Sequence, residues 1–319
     1  MKIRRKVVLL GVKALVTICL VAWLSTKANW PQLVELLQAV DWAWLSLAAL
    51  LQLVAFALFA VRWWIVLRHL LPEVRFLETL PAVYMGLFAN NFMPAGTGSD
   101  LAKVFGMRSA TRSAKNLVAA VFIERVVGLS TVLSIGSIAL WAWSPERFGI
   151  AEVTLIGLVL FAGLLLATLF TPLSRWIAAT IRHFGGHTWL DHLADTLDNV
   201  YRFSAAWVEV GLAFLLTLML QSLVVASYIA LGKALGSSMD PLAYFVAIPL
   251  VFLAVSLPIS FGGLGVREGT FVAIMVLAGM AEQIAIGVSV LFLFQLLVLT
   301  CPGGILLLQG RHVPRSRAA

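Results

Sequence analysis

Charge is what this chain has least of. Asp, Glu, Lys and Arg make up 12% of its 319 residues, about half the roughly 25% that a soluble domain uses to cover its surface. Soluble Rossmann, barrel and protease architectures are therefore excluded. Cysteine is nearly absent. Cys19 and Cys301 both lie in apolar stretches, so neither belongs to a disulfide framework or a thiolate metal cluster, and both read as packing residues. There is no Walker phosphate loop. His183, His187 and His192 lack an HExxH-like arrangement and read as a hydrated loop, so no metal and no cofactor are expected.

What the chain has in abundance is hydrocarbon, at 61% hydrophobic residues and a mean hydropathy of +0.98. A bilayer core of about 30 Å takes roughly 20 apolar residues as a helix. Runs of that length occupy 7–25, 42–67, 116–143, 152–171, 208–232 and 284–308. Two shorter ones, 79–93 and 241–257, each precede a Gly/Pro-rich break, and an apolar piece at 269–281 follows the second break. The basic start MKIRRK before an apolar run resembles a signal peptide, but no small-x-small site closes the run, and it reads as a retained first span.

Basic residues set the orientation. Lys2, Arg4, Arg5 and Lys6 place the N-terminus in the cytoplasm, and 26–41 then lies outside as a loop. Arg62, Arg68 and Arg75 return inside, as do Lys103, Arg108, Arg112 and Lys115. For both groups to be inside, 79–93 must enter and leave from the cytoplasm as a re-entrant hairpin. The loop 172–207 and the tail 311–319 are also inside. On this count 17 of 23 basic residues are cytoplasmic, so the net charge of +8 is a topology signal and not a nucleic-acid footprint. Within the inner loop, 187–205 has apolar residues at helical spacing and predicts a helix at the membrane surface. Most of the eleven Trp, among them Trp23, Trp42, Trp63, Trp64 and Trp143, fall near span ends and read as interfacial anchors.

Two breaks interrupt the pattern. The first runs through Asn90, Asn91, Pro94, Gly96 and Gly98 to Asp100; the second through Pro258, Gly262, Gly263, Gly265, Arg267 and Glu268 to Gly269. Each is a short apolar segment, a proline, a glycine cluster and then charge, a weak internal repeat. Proline stops the helix ladder, and glycine permits tight backbone paths. Such backbone is tolerated at membrane depth only where protein or water covers it. The first break faces the cytoplasm and the second begins outside, the arrangement of an inverted repeat with a site between its halves. Segments 241–257 and 269–281 fit either a re-entrant hairpin or two thin crossings.

Glu124 and Arg125 interrupt a span, where unpaired charge is costly. Adjacent helical residues point about 100° apart, so each needs another partner. The expected ones are Arg267 for Glu124, and Asp100 or Glu268 for Arg125, joining the breaks around one polar centre. A structural ion-pair network and direct contact with a lipid head group are compatible readings of it. Gln221 and Gln295 read as interhelical hydrogen-bonding residues.

The stretches Asn91-Phe92-Met93-Pro94 through Gly98-Ser99-Asp100-Leu101-Ala102-Lys103, Phe122-Ile123-Glu124-Arg125, and Pro258 through Gly269 together resemble the lysylphosphatidylglycerol synthase transmembrane-region family of flippase-like proteins, over about 5–310. Members often carry a Pro-Gly-Arg-x-Gly-Asp-like first motif, where this chain has Pro94-Ala95-Gly96-Thr97-Gly98-Ser99-Asp100. The resemblance implies handling of lipid or polyprenyl lipid, with Asp100, Glu124, Arg125, Arg267 and Glu268 at the motif positions. The aminoacyl-transferase domain that accompanies this region in relatives has no counterpart in these short loops.

The expectation is an all-α polytopic transmembrane bundle, one domain over 1–310 with a short basic tail, in the cytoplasmic membrane with both termini inside. It moves an anionic, aminoacylated or polyprenyl-linked lipid between leaflets and carries no catalytic residues. Asp100, Glu124, Arg125, Arg267, Glu268, Asn90 and Asn91 form the polar centre; Pro94, Gly96, Gly98, Pro258, Gly262, Gly263, Gly265 and Gly269 form the gating breaks. Two rivals stand beside it: a transferase acting on a lipid-linked substrate with Asp100, Glu124 or Glu268 as base, and a scaffold whose partner is a lipid-modifying enzyme.

Overall fold

The computed structural model describes residues 2–93, 97–107, 114–143, 173–183, 194–195, 198, 207–257 and 259–309. Within them the helices are α1 (Lys2–Lys27), α2 (Trp30–Gln38), α3 (Trp42–Leu70), α4 (Phe76–Asn90), α5 (Thr97–Met107), α6 (Ala114–Trp143), α7 (Leu173–His183), α8 (Trp207–Ala234), α9 (Pro241–Ser256), α10 (Val266–Leu277) and α11 (Glu282–Leu308). Helices α3, α6, α8 and α11 contain segments long and apolar enough to cross a bilayer, so this is a multi-pass membrane protein. The expected span 152–171, most of the surface helix at 187–205 and the tail lie outside the described residues.

Local chemistry explains the boundaries. The Asp41 carboxylate accepts from the backbone N–H of Ala43 at 2.8 Å and starts α3. Asp240 does the same for α9 through Leu242 at 2.9 Å, with Pro241 placed where its missing N–H costs nothing. Segment 26–41 is not a plain loop. Asn29 caps α2 and Pro31 sits in its first turn, while Leu33, Leu36 and Leu37 pack into the core. A nine-residue helix is too short to hold alone; that buried face stabilises it.

Antiparallel packing of α3 and α8 forms the spine. Asp41 N–H donates to the Ala234 carbonyl (3.0 Å), Ser227 Oγ to the Ala48 carbonyl (3.0 Å) and Arg62 Nη1 to Thr217 Oγ1 (3.0 Å), a register running the length of both helices. Gln295 of α11 joins through Nε2 to Ser227 Oγ (3.1 Å) and the Ala48 carbonyl (3.3 Å).

On either side of the spine sit two helical hairpins. Gly86 and Gly98 bring α4 and α5 together, since a Cβ at Gly86 would lie 3.0 Å from the Ser99 carbonyl and one at Gly98 would lie 2.5 Å from that of Ala89. Helices α9 and α10 form the second hairpin, where Tyr244 and Phe271 meet. The hairpins exchange partners: α4 packs on α11, and α9 packs on α6. Gly303 admits the Tyr84 backbone at the first contact, and Gly136 admits the Pro249 ring at the second. Each half closes around its own apolar core, one centred on Tyr228, Phe271 and Phe292, the other on Trp63, Leu67 and Ile123.

Candidate functional site

Five charged side chains converge beside the first hairpin. Glu124 of α6 is buried and accepts hydrogen bonds from both Arg62 of α3 and Lys103 of α5. Arg125, one residue on, places Nη2 at 2.6 Å and Nε at 3.0 Å from Asp100 Oδ2. Lys103 Nζ lies 3.7 Å from Asp100 Oδ1, which links the two pairs. Lys103 is 1% exposed, and its ammonium lies 4.4 Å from the Trp63 ring centre and 5.0 Å from that of Phe59, where the negative ring face attracts it. Burying each ion costs several kcal/mol; mutual pairing and the ring contacts offset that cost.

A cavity of about 330 Å³ opens beside this cluster, between the first hairpin and α9. Arg62, Asp100, Lys103, Glu124 and Arg125 line one side; Gln221 of α8 and Phe252, Val255 and Ser256 of α9 line the other. Among the described residues, Arg62 Nε, Ser99 Oγ and Asn90 Oδ1 are buried without a hydrogen-bond partner, and all three residues border this cavity.

The polar centre differs from the sequence expectation in the partner of Glu124 and keeps one of the two partners expected for Arg125. Glu124 does not meet Arg267, and Arg125 pairs with Asp100, not Glu268. Arg267 Nε instead contacts its neighbour Glu268 Oε1 at 2.9 Å, and its guanidinium lies 5.8 Å from the Phe292 ring centre. The Glu268 carboxylate also accepts the Gly265 backbone N–H at 2.7 Å, closing the first turn of α10. The reason is packing. Helix α6 runs along α9, while α10 sits against α1, α9 and α11, so Arg267 belongs to a second polar locus. Glu268 and Ser289 border a separate apolar groove of about 160 Å³ there, with Leu24, Trp30 and Leu264.

The breaks do meet, through backbone. Gly262 N–H donates to the Met93 carbonyl at 3.1 Å, and Asn91 Nδ2 donates to Thr300 Oγ1 at 3.0 Å. Gly262 has φ +58°, and a Cβ there would collide with the Asn91 carbonyl, so both conformation and space demand glycine. Gly263 and Gly265 also have positive φ, at +75° and +78°; Gly98 packs against Ala89 and Met93, and Gly269 faces Trp23. Pro94, Gly96 and Pro258 lie outside the described residues.

Arg62, Lys103 and Trp63 are the residues that sequence reasoning misplaced. The two cations counted as cytoplasmic charge and Trp63 as an interfacial anchor, yet all three are buried. Two signals were present: Arg62 lies inside the apolar run 42–67, and Lys103 follows Asp100 by three residues, on the same helical face.

Comparison with known proteins agrees with this architecture. Residues 9–303 match the lysylphosphatidylglycerol synthase TM region. The chain belongs to that family. What matches in this family is the membrane region of the synthase and not its aminoacyl-transferase domain. The chain is also similar to the UPF0104 membrane protein PH1989 of Pyrococcus horikoshii, 20% identical over 323 residues covering 94% of this chain and 96% of that protein. No solved structure matches it. Among the described residues, no group of three or more His, Cys, Asp or Glu is placed to hold a metal.

Proposed function

We propose that this member of the lysylphosphatidylglycerol synthase transmembrane-region family moves a lipid with an anionic, aminoacylated or polyprenyl-linked head group between the leaflets of the cytoplasmic membrane. The observation that carries the reading is the cavity between the two hairpins, with five charged groups on one wall and apolar side chains of α9 on the other. Crossing a bilayer requires a head group to leave water without entering hydrocarbon. A polar wall supplies hydrogen bonds in place of water, while the acyl chains remain in lipid. Contact between the hairpin tips at Met93 and Gly262 puts a breakable seam next to that wall, and irregular backbone between halves is where alternating access is built. The basic-residue count supports cytoplasmic termini.

The test is leaflet exchange of labelled phosphatidylglycerol, aminoacylated phosphatidylglycerol and a polyprenyl phosphate in liposomes holding the purified protein. Exchange above protein-free vesicles, reduced at least tenfold by Arg125→Gln, supports the reading. A change in substrate mass would move the assignment to a transferase. Neither exchange nor mass change, with or without an ion gradient, would move it to a scaffold for a lipid-modifying enzyme.

A further inference from the structure

We infer that the open space beside Gly128 of α6 is where a lipid head group lies against the charged wall, and that this glycine sets how large a head group the cavity takes. The inference rests on the translocation reading and adds a size-determining residue to it.

Glycine is a costly residue in the middle of a helix. In membrane helices it usually marks a close approach of another backbone or side chain. At every other buried glycine of the described helices a Cβ would come 3.0 Å or less from a neighbouring atom. Gly128 departs from that rule. It is buried, yet no atom of the described residues lies within 4 Å of where its Cβ would be, and it lines the cavity of about 330 Å³. Close packing among the described residues therefore does not call for glycine here; the open space does.

Gly128 is the fifteenth of the 30 residues of α6, near the middle of a helix that crosses the bilayer, the depth at which transporter sites are found. Glu124 and Arg125 occupy the turn before it. A helical side chain leans towards the N-terminus and covers the preceding turn, so a side chain at 128 would lie over those charges. Its absence leaves that turn uncovered, and the side chains of Arg125 and Asp100 are 36% and 22% exposed. On the facing wall, Phe252, Val255 and Ser256 of α9 border the same space. Two turns further along, α6 and α9 close on each other, since a Cβ at Gly136 would stand 2.9 Å from the Pro249 ring. The two helices thus part from Gly136 towards Gly128, and the head group fits the wide end.

The test compares wild type with Gly128→Ala, Gly128→Leu and Gly211→Leu in leaflet exchange of labelled phosphatidylglycerol, aminoacylated phosphatidylglycerol and a polyprenyl phosphate, with unfolding temperature in detergent measured beside it. Gly211 of α8 also has open space at its Cβ position but is exposed and does not border the cavity, so it controls for stiffening a helix. Gly128→Ala is expected to unfold at the wild-type temperature or above and to lower exchange several-fold. Gly128→Leu lowers it at least about tenfold, the scale on which one methylene matters in a closed pocket, and Gly211→Leu leaves it unchanged. A lower unfolding temperature for Gly128→Ala would show the space to be filled and overturns the inference. So does wild-type exchange in folded Gly128→Leu, or an equal loss in Gly211→Leu. If the leucine variant does not fold, the alanine variant decides: wild-type exchange overturns the inference and several-fold loss upholds it. Retention of the same labelled lipids in phosphatidylcholine nanodiscs separates the site from transport. No exchange by wild type, with retention that Gly128→Leu abolishes, upholds the site and sinks the transport reading; exchange by wild type that Gly128→Leu keeps does the reverse. Wild type that neither exchanges nor retains any of the three lipids, or that retains them without exchange and equally in Gly128→Leu, overturns both.

Discussion

Gly262 donates its backbone N–H to the Met93 carbonyl at 3.1 Å, so the two hairpin tips, 169 positions apart in the chain, close on each other without a side chain between them. The contact depends on the absence of a Cβ. Gly262→Ala adds the cost of a left-handed backbone, on the order of 1–3 kcal/mol, and pushes a methyl into the Asn91 carbonyl. Thermal unfolding in detergent should show a clear loss of stability, with Gly236→Ala as the comparison. Gly236 also has positive φ but open space around it, so a similar loss at both positions would show that conformation alone matters and that the seam contributes nothing.

Removing the carboxylate of Glu124 should be among the most damaging single changes. Glu124→Gln leaves Arg62 and Lys103 charged, buried and short of their shared anion, which costs roughly 3–5 kcal/mol. Replacing all three with apolar residues, as in Arg62→Met, Glu124→Leu and Lys103→Met together, should recover most of that stability while lipid exchange stays at the protein-free rate. Exchange by a folded triple variant would disconnect the cluster from transport.

Arg267 and Arg125 occupy different places and should behave differently. Arg267→Gln removes the contact to Glu268 and the approach to Phe292, so its effect falls on stability, by about 1–3 kcal/mol. Exchange per folded protein should fall less than threefold. Arg125→Gln, at the cavity, should show the opposite balance. Parallel loss of exchange in both would restore a single polar centre containing Arg267.

Gln295 offers a calibration of smaller size. Its amide bonds to Ser227 and Ala48 inside the bundle, and such interhelical bonds contribute about 0.6 kcal/mol on average and up to about 1.7. Gln295→Leu should stay within that range in a denaturation titration. A loss of 4 kcal/mol, on the scale set by a broken buried ion pair, would mean the three-helix junction is more polar than its geometry shows.

Cys19 and Cys301 are exposed on the helix surfaces, and in a bilayer that surface is hydrocarbon. Thiol reagents attack the thiolate, which hydrocarbon does not support, so in intact membrane vesicles neither a maleimide nor a charged methanethiosulfonate should modify either thiol, and both thiols should react after denaturation. Rapid labelling of either thiol by the charged reagent would place it against water.

Much of this protein is legible along the chain because a bilayer imposes one-dimensional rules. Span length, scarcity of charge and the clustering of Lys and Arg follow from hydrocarbon thickness and leaflet potential, so the helical class, the long spans and the two broken segments can be read directly. The same rules misread Arg62 and Lys103. A count of basic residues treats every cation as loop charge, and only the approach of α3, α5 and α6 shows these two turned inward to Glu124.

Pairing was the other limit. Asp100 and Arg125 were within the reach of sequence reasoning because the helices that carry them are neighbours in the chain. The partners of Glu124 were not: Lys103 sits on the same neighbouring helix as Asp100 but reads as loop charge, the Arg62 contact needs α3 to pack against α6, and Arg267 is kept from Glu124 because α10 packs elsewhere. Sequence by itself determined that the chain lies in a membrane, where its helices break and which residue types stand at the breaks. Tertiary structure alone decided which charges share a cavity, because in a low-dielectric interior an ion takes the partner that close packing brings to it.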